Sequence, residues 1–307
     1  MIRSINPFAS ATPALNQGPR KKEQIDIQIG ASNFWVDGIR NVLSIRSKIL
    51  FLNSKINSGN VSKETIGKMR DFLHENGLHD VSVSVNQYKP QEVWRRTFTN
   101  PKTSLLSKCT AGVVFGLLET LLIPKLSGIA CDHYNPYSNT VHLFSDDLAT
   151  ALHECGHAKD VNERANPGLY GAIALINYTS DDEDWANHPI FFAVLKSVSV
   201  GQSCLTLYQE YKATDNAIAH LRVKNLNVEL KRSFKVLVPS FAAYCANAVL
   251  TKTNTTIKIS EWLKISVPNI SFIGFMVAGH IIGQILAAYK APQNKPEQRL
   301  AAVPATA

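Results

Sequence analysis

The stretch Ala151-Leu152-His153-Glu154-Cys155-Gly156-His157-Ala158-Lys159-Asp160 contains two histidines four residues apart. Side chains four residues apart lie on one face of an α-helix, so His153 and His157 can point at one metal ion. Glu154 follows the first histidine and is placed beside a water molecule on that ion. The spacing predicts a helix that carries two zinc ligands and a general base.

The residues around this stretch predict a strand followed by a capped helix. Residues 140–144 alternate apolar and polar side chains, which is typical of a strand. The run Ser145-Asp146-Asp147 then supplies a capping side chain and two carboxylates for the positive end of a helix. Asn166-Pro167-Gly168 is a helix stop. We therefore expect a motif helix of about five turns.

Residues 31–103 predict a small α/β region ahead of the motif. Apolar residues at helical spacing over 34–52 indicate one helix, and Ser62 is a suitable N-cap for a second helix that stops at Asn76-Gly77. Residues 81–85 alternate as a strand. Residues 93–98 are interpreted as a second strand that pairs with it.

The net charge of +8 is concentrated in the first third of the chain. Residues 1–103 hold 15 Lys and Arg against 8 Asp and Glu, whereas residues 104–307 hold 17 against 16. Residues 1–30 are rich in Pro, Ser, Asn and Gln and predict a flexible basic arm, and residues 291–307 predict a flexible tail. The basic residues lack the interleaved aromatics of a single-strand-binding surface, which disfavours nucleic acid as a partner.

Cysteine usage and the N-terminus bear on the compartment. The five cysteines are odd in number and form no CxxC pair, which indicates reduced thiols. The N-terminal residues lack the apolar segment of a secretory signal. A mean hydropathy of −0.06 excludes a polytopic transporter. We expect a cytoplasmic or membrane-associated protein.

Apolar segments in the last two thirds predict further helices over residues 104–124, 189–220, 236–250 and 267–289. The last of these has no charged residue and is long enough to cross a bilayer. Its polar residues, His280 and Gln284 among them, are costly against lipid, so a membrane helix and a buried helix both stay open. Gly279 and Gly283 permit close helix contact there.

A catalytic zinc needs a third protein ligand beside two histidines. Residues 208–217 predict a helix that offers Glu210, with Ala213 and Ala217 small enough for close packing against the motif helix. Asp160 is a rival because it follows His157 by three residues and shares its face. Two further alternatives are Asp215 and His220.

The two histidines, Glu154 and the later Glu210 resemble the gluzincin branch of the zincin metallopeptidases. Residues 132–160 also resemble a group of little-characterised bacterial zinc peptidases, and the likeness extends over roughly residues 90–290. The resemblance implies Zn²⁺ as cofactor, with His153, His157 and Glu210 as ligands and Glu154 as the catalytic general base. Many gluzincins carry an acidic residue four positions after the glutamate ligand. Here that position is Thr214, and Asp215 is the candidate for orienting a ligand histidine.

This interpretation implies a peptidase that hydrolyses peptide bonds of a protein or peptide substrate with a zinc-activated water. The candidates for stabilising the oxyanion are His133, Tyr134 and His142, although the sequence favours packing in a turn or in the core for them. The strand over residues 140–144 is expected to bind an extended substrate as an added strand.

The predicted fold is α+β and mainly helical. A zincin-like metallopeptidase domain over residues 104–290, with a strand before the motif helix, follows the α/β region of residues 31–103. The alternative function is a non-catalytic, membrane-associated protein with a structural or vestigial zinc site. Membrane association would then run through residues 267–289.

Overall fold

A mixed four-stranded sheet lies at the centre of the chain. The computed structural model describes residues 25–30, 42, 44–50, 52–56, 58–117, 132–164, 189–250, 256–258 and 264–290. The strands of this sheet are β1 (Ile27–Ile29), β2 (Ser82–Val85), β3 (His133–Asn135) and β4 (Thr140–Leu143). They are ordered β1-β2-β4-β3, with β1, β2 and β4 parallel and β3 antiparallel to β4.

Helices make up most of the described chain. They are α1 (Ile45–Leu50), α2 (Lys63–Glu75), α3 (Pro90–Thr99), α4 (Leu105–Ser107), α5 (Val113–Leu117), α6 (Leu148–Arg164), α7 (Pro189–Val223), α8 (Asn227–Leu250) and α9 (Val267–Tyr289). A π-helical turn (Lys108–Gly112) joins α4 to α5. An antiparallel ribbon of β5 (Thr256–Lys258) and β6 (Lys264–Ser266) lies between α8 and α9 in the chain. The α+β, mainly helical class is confirmed.

The hydrophobic core lies between one face of the sheet and α2, α6, α7 and α8. Val83 of β2 pairs with Val141 of β4, and Val85 pairs with Leu143, so these four side chains share one face and are fully buried. They belong to one apolar cluster with Leu152 of α6. This packing fixes the motif helix against the sheet and leaves it buried over most of its circumference.

The ends of α2 follow the predicted signals. Ser62 Oγ accepts a hydrogen bond from the backbone N–H of Thr65, which is the N-cap interaction. Gly77 after the helix has a positive φ of 69°, and the N–H of Leu78 donates to the carbonyl of Leu73. Both the predicted cap and the predicted stop are confirmed.

The predicted second strand over residues 93–98 is wrong, because these residues form α3. Pro90 is the first residue of the helix, where its missing N–H costs nothing. Val93 and Thr97, one turn apart, are the residues of α3 that are buried. The place beside β2 is taken by β4, from a much later part of the chain.

The sheet crosses two predicted domain boundaries. β1 lies within the predicted flexible arm of residues 1–30, yet it pairs with β2 as a sheet strand. β2 lies before residue 103 and β4 after it, so the boundary at residues 103–104 divides a single sheet. Residues 25–290 therefore cannot be separated at that point without cutting the core.

Several predictions fall partly or wholly outside the described residues. Of the helix expected over residues 34–52, the described part is α1 together with Val42, which is also helical. The described part of the segment over 104–124 ends at Leu117, and that of the motif helix at Arg164. The flexible tail over residues 291–307 lies wholly outside the described range.

Candidate metal centre

The motif helix α6 begins at a buried carboxylate. Asp147 Oδ1 accepts hydrogen bonds from the backbone N–H groups of Ala149 (2.9 Å) and Thr150 (3.3 Å). Its other oxygen accepts from Asn53 (2.8 Å) and Arg232 (3.0 Å). Because Asp147 is bonded to three separate parts of the chain, the start and rotation of α6 are fixed.

Three side chains from α6 and α7 converge on one point. His153 Nε2 lies 3.1 Å from both His157 Nε2 and Glu210 Oε2, and His157 Nε2 lies 3.6 Å from Glu210 Oε2. Zinc–ligand bonds of about 2.0–2.1 Å in a tetrahedral site place neighbouring ligand atoms about 3.3 Å apart. The three separations bracket that value, so these residues can hold a metal ion of this size.

Close packing of α6 against α7 brings Glu210 to the histidines. A Cβ atom on Gly156 would lie 2.5 Å from the carbonyl oxygen of Ala213, closer than real Cβ atoms come. Ala213 is fully buried at this contact, and Ala217, one turn later on α7, is fully buried as well. The predicted packing role of Ala213 is confirmed, and Gly156 is the residue on the motif helix that permits it.

Thr214, and not Asp215, contacts a ligand histidine. Thr214 Oγ1 lies 3.1 Å from His153 Nδ1. A metal bound at Nε2 leaves the imidazole proton on Nδ1, and the threonine hydroxyl can accept its hydrogen bond. Asp215 is exposed, so the expectation that it orients a ligand is wrong. The sequence reasoning treated Thr214 only as a departure from the family pattern.

The rival third ligands lie apart from the three converging atoms. Among the described residues, the group that can hold a metal contains neither Asp160, Asp215 nor His220. Asp160 is buried near His157 and acts on it through its charge. His220 packs edge-on against Phe72, with Nδ1 3.8 Å from Glu75. The geometry thus selects Glu210 from the four alternatives.

Glu154 is buried and has an unusual proton affinity. It follows His153 on α6 and lines the same cleft as His157 and Glu210. Burial is the main cause that raises the pKa of Glu154 from 4.5 to about 8, and the charges of Glu210 and Asp132 add to it. This carboxyl group therefore holds a proton near neutral pH when no metal is bound.

The three candidate ligands titrate differently from one another. Burial favours the neutral form of Glu210, but hydrogen bonds from His153 and His157 outweigh it and hold the pKa of Glu210 at about 2. Burial lowers the pKa of His153. It also acts against the charged form of His157, yet Glu210, Glu154 and Asp160 raise that pKa overall. In the metal-free site the carboxylate of Glu210 is ionised and the neutral form of His153 is favoured, whereas zinc must displace a proton that His157 holds more tightly than a free imidazole does.

An open cleft of about 380 Å³ adjoins His157 and Glu210, two of the three candidate ligands. Its lining residues are Asp132, His133, Tyr134, Pro136, Tyr137, Glu154, His157, Gln209, Glu210 and Tyr244. Sequence reasoning missed Gln209, Tyr244 and Asp132. Asp132 accepts hydrogen bonds from the N–H groups of Phe144 and Ser145 and so fixes the end of β4 beside α6. Nothing in the sequence marks Tyr244, which is one aromatic residue in an apolar segment.

The three candidate oxyanion stabilisers differ in their access to the cleft. His133 lines the cleft, and its charge acts on Glu154. Tyr134 also lines the cleft, but its hydroxyl donates to Asn139 Oδ1 at 2.7 Å. His142 is fully buried between Val141 and Leu143 on the sheet face away from α6, in a separate small pocket. The ring of His142 stacks on that of His133, with centroids 4.8 Å apart, so His142 lies behind His133 and does not itself line the cleft.

Strand β4 cannot accept a substrate strand. It is hydrogen-bonded to β2 on one side and to β3 on the other, so both of its edges are occupied. The expectation that residues 140–144 bind an extended substrate is therefore wrong. β3 is the edge strand on this side of the sheet and contributes two residues to the cleft.

Comparison with known proteins gave no match to a family model, to a curated protein or to a solved structure. The resemblance to gluzincins therefore stays a prediction. It rests on the motif and on the three converging ligand atoms.

Proposed function

We propose that this chain is a zinc-dependent metallopeptidase with His153, His157 and Glu210 as ligands and Glu154 as general base. The observation that carries the proposal is the convergence of three ligand atoms at tetrahedral separations beside a buried glutamate. The donor set of two imidazoles and one carboxylate is one that catalytic zinc sites use. The open cleft at the ligands supplies room for a substrate.

Each group has a defined part in hydrolysis. When held by these three residues, zinc supplies a Lewis acid that acidifies a water molecule and polarises a carbonyl group. Glu154 accepts the proton of the attacking water and then gives it to the leaving amine, as a C–O bond forms and the C–N bond breaks. Burial favours the neutral form of Glu154, so this carboxyl group readily accepts a proton, and the charge of a bound cation beside it would favour the ionised form that a base needs.

The cleft geometry favours an extended peptide as substrate. β3 borders the cleft and is the outermost strand of the sheet among the described residues, which favours a peptide laid alongside it. Such a peptide runs past Glu154 and the ligand atoms. His133, at the start of β3, is then the candidate for donating a hydrogen bond to the oxyanion.

Metal content and hydrolysis test this proposal together. We expect the purified protein to hold close to one zinc per chain and to cleave an unfolded protein such as casein. Glu154→Gln should keep the zinc and lose cleavage by a factor of about 10² or more, because the base is gone. Glu210→Gln should lose zinc. The zinc content of the two variants therefore distinguishes a metal ligand, Glu210, from a general base, Glu154. Protein without near-stoichiometric zinc, or a Glu154→Gln variant as active as the parent, would contradict the proposal.

A second candidate is a non-catalytic, membrane-associated protein with a structural metal site. Helix α9, which is long and apolar enough to cross a membrane over Ser271–Tyr289, favours its membrane part. The open cleft beside the ligands argues against a closed structural site. Tightly held zinc with no hydrolysis of any peptide by the parent protein would favour this second candidate.

A further inference from the structure

The outer surface of α9 is apolar along its described length. Ile273, Val277, Ile281 and Ile285, spaced four residues apart, are 50–58% exposed and form one ridge. The opposite face is buried against the rest of the chain through Met276, Gly279, Gly283 and Ala287. Residues 267–289 contain no charged side chain. A ridge of this kind needs an apolar partner.

Helix α1 extends the same apolar surface. His280 Nε2 on α9 donates a hydrogen bond to the carbonyl oxygen of Leu50 at 2.9 Å, which joins the two helices. Ile45, Ile49 and Leu52 beside it are all at least half exposed. The exposed surface is therefore wider than a single helix.

The packing of α9 argues against a transmembrane orientation. A Cβ atom on Gly283 would lie 2.6 Å from the carbonyl oxygen of Phe234 and 3.5 Å from Cα of Lys235, so this part of α9 lies against the charged half of α8. Ion pairs join that half of α8 to the part of the chain that contains the four-stranded sheet, which we call the sheet domain. Glu229 pairs with Lys68 of α2, and Arg232 pairs with Asp147 at the start of α6. Lipid cannot surround the part of α9 around Gly283, because the sheet domain, which must stay in water, lies beside it.

The remaining half of the helical pair is too short to cross a bilayer. Residues 236–250 are the uncharged part of α8, and they pack along the first half of α9, with Gly279 against Pro239 and Ala242. At 1.5 Å per residue this part is about 22 Å long, against about 30 Å for the hydrocarbon layer. Crossing would leave Lys252 and Lys258 of the connecting segment inside the hydrocarbon layer.

Positively charged residues flank the ridge of α9 and indicate what kind of partner covers it. Lys264 precedes α9 and Lys290 follows it, and the segment between α8 and α9 holds three lysines against Glu261. A second copy of the chain would bring the same positive ends together, which is unfavourable. A bilayer with anionic headgroups matches both features, because its acyl layer can take up the apolar ridge while its headgroups attract the lysines at the ends. We propose that α9 lies along the surface of an anionic bilayer, with its outer ridge at the acyl boundary.

Flotation of the full-length protein with lipid vesicles tests this proposal. We expect the parent to bind preformed vesicles made of equal parts phosphatidylcholine and phosphatidylglycerol. The double variant Val277→Lys and Ile281→Lys should bind at least about tenfold more weakly, because two charges enter the apolar boundary. Val228→Lys, at a valine that is 70% exposed on α8 outside the ridge, should bind like the parent. Zinc content of each variant verifies folding independently of any peptidase activity.

The orientation is tested with a membrane-impermeant amine reagent added outside the vesicles. A helix along the surface leaves Lys264 and Lys290 on the same side, so mass spectrometry should find both modified. Modification of only one lysine, whichever it is, would overturn the proposal in favour of a spanning helix. Protein that stays in solution as a monomer or a dimer and does not float would also overturn it, as would equal binding by the parent and the double lysine variant.

Discussion

Two glutamates in the metal centre have opposite proton affinities although both are buried. Glu210 faces two imidazoles, and the pKa of its carboxyl is held at about 2. Glu154 faces the cleft with fewer favourable partners, and burial raises its pKa to about 8. The difference in surroundings separates an ionised candidate ligand, Glu210, from Glu154, a group that can exchange a proton.

The raised pKa of Glu154 predicts a pH-dependent stability in the metal-free protein. A carboxyl group whose pKa is raised on folding contributes stability below its unfolded value of 4.5, and that contribution is lost as pH rises to about 8. Relative to Glu154→Gln, the free energy of unfolding of the parent should fall by about 1.4 kcal/mol per pH unit within this window. Urea unfolding of chelator-treated protein at pH 5, pH 6.5 and pH 8, roughly the span of that window, measures it.

Glu64→Gln is the matched control for this experiment, because it removes one carboxylate that is 74% exposed on α2. Its difference from the parent should change little with pH. If the free energy of unfolding changes with pH in the same way for the parent and Glu154→Gln, burial does not raise the pKa of Glu154 and this prediction is wrong.

The hydroxyl of Thr214 should matter to metal affinity. Thr214→Val keeps the shape of the side chain but removes the partner of His153 Nδ1, so the dissociation constant for zinc should rise about tenfold. Thr214→Ser keeps a hydroxyl and should bind zinc nearly as the parent does. Competition with a chromophoric chelator measures all three proteins. Equal affinity of the valine and serine variants would show that this contact does not position the histidine.

For individual site residues, the sequence predicts relative positions where these depend only on spacing along one helix. His153, Glu154 and His157 lie within five residues, so their relative positions follow from helical periodicity alone. The choice of Thr214 over Asp215 depends on how α7 is rotated against α6. That rotation is set by contacts between residues more than fifty positions apart, such as Gly156 with Ala213.

At the scale of elements, the contact between α6 and α7 decides the site. Gly156 lies between the two histidines, and Ala213 lies one turn after Glu210 on α7. The absence of a side chain on Gly156 therefore sets the separation of the helices at the level of the ligands. Any side chain there must push α7, and Glu210 with it, away from the histidines.

Gly156→Ala should therefore destabilise the fold and weaken zinc binding together. Its Cβ would lie 2.5 Å from the carbonyl oxygen of Ala213, and overpacking of this kind costs about 1–3 kcal/mol. Gly201→Ala on α7 is the matched control, because a Cβ there meets nothing within 4 Å and should stabilise the helix by up to about 1 kcal/mol. Urea unfolding and zinc titration measure both. A Gly156→Ala variant as stable as the parent would contradict this account of the packing.

The error over residues 93–98 also belongs to this scale. A short segment with valine, tryptophan and phenylalanine fits a strand by composition. Pro90 at the start and the Glu92–Arg96 ion pair one turn apart favour a helix, and the tertiary structure leaves the sheet position to β4. Short apolar segments carry too little periodicity to decide between the two.

At the scale of the whole molecule, the sheet assembles segments that are far apart in sequence. β2 and β4 pair in parallel although about fifty residues separate them, and β1 joins from a region expected to be flexible. Local patterns predicted most of the individual elements, and the class followed from their proportions. Strand order and domain boundaries depend on pairings between distant residues, which local patterns do not contain.

The exposed ridge of α9 is also a property of the whole molecule, because the orientation of this helix to a membrane depends on the residues packed behind it. By composition the helix suits a membrane span. The position of Gly283 against the charged half of α8, and the short uncharged part of that helix, indicate an orientation along the bilayer surface. If that orientation holds, the sheet domain and the cleft stay on one side of the membrane.

The separation of the ligands along the chain has a consequence for biosynthesis. His153 and Glu210 are 57 residues apart, so at 5–20 residues per second a ribosome needs about 3 to 11 seconds to add the third ligand after the first. During that interval the nascent chain offers two histidines and no carboxylate from α7. The zinc binding proposed above can therefore be completed only after α7 has left the ribosome and folded back onto α6.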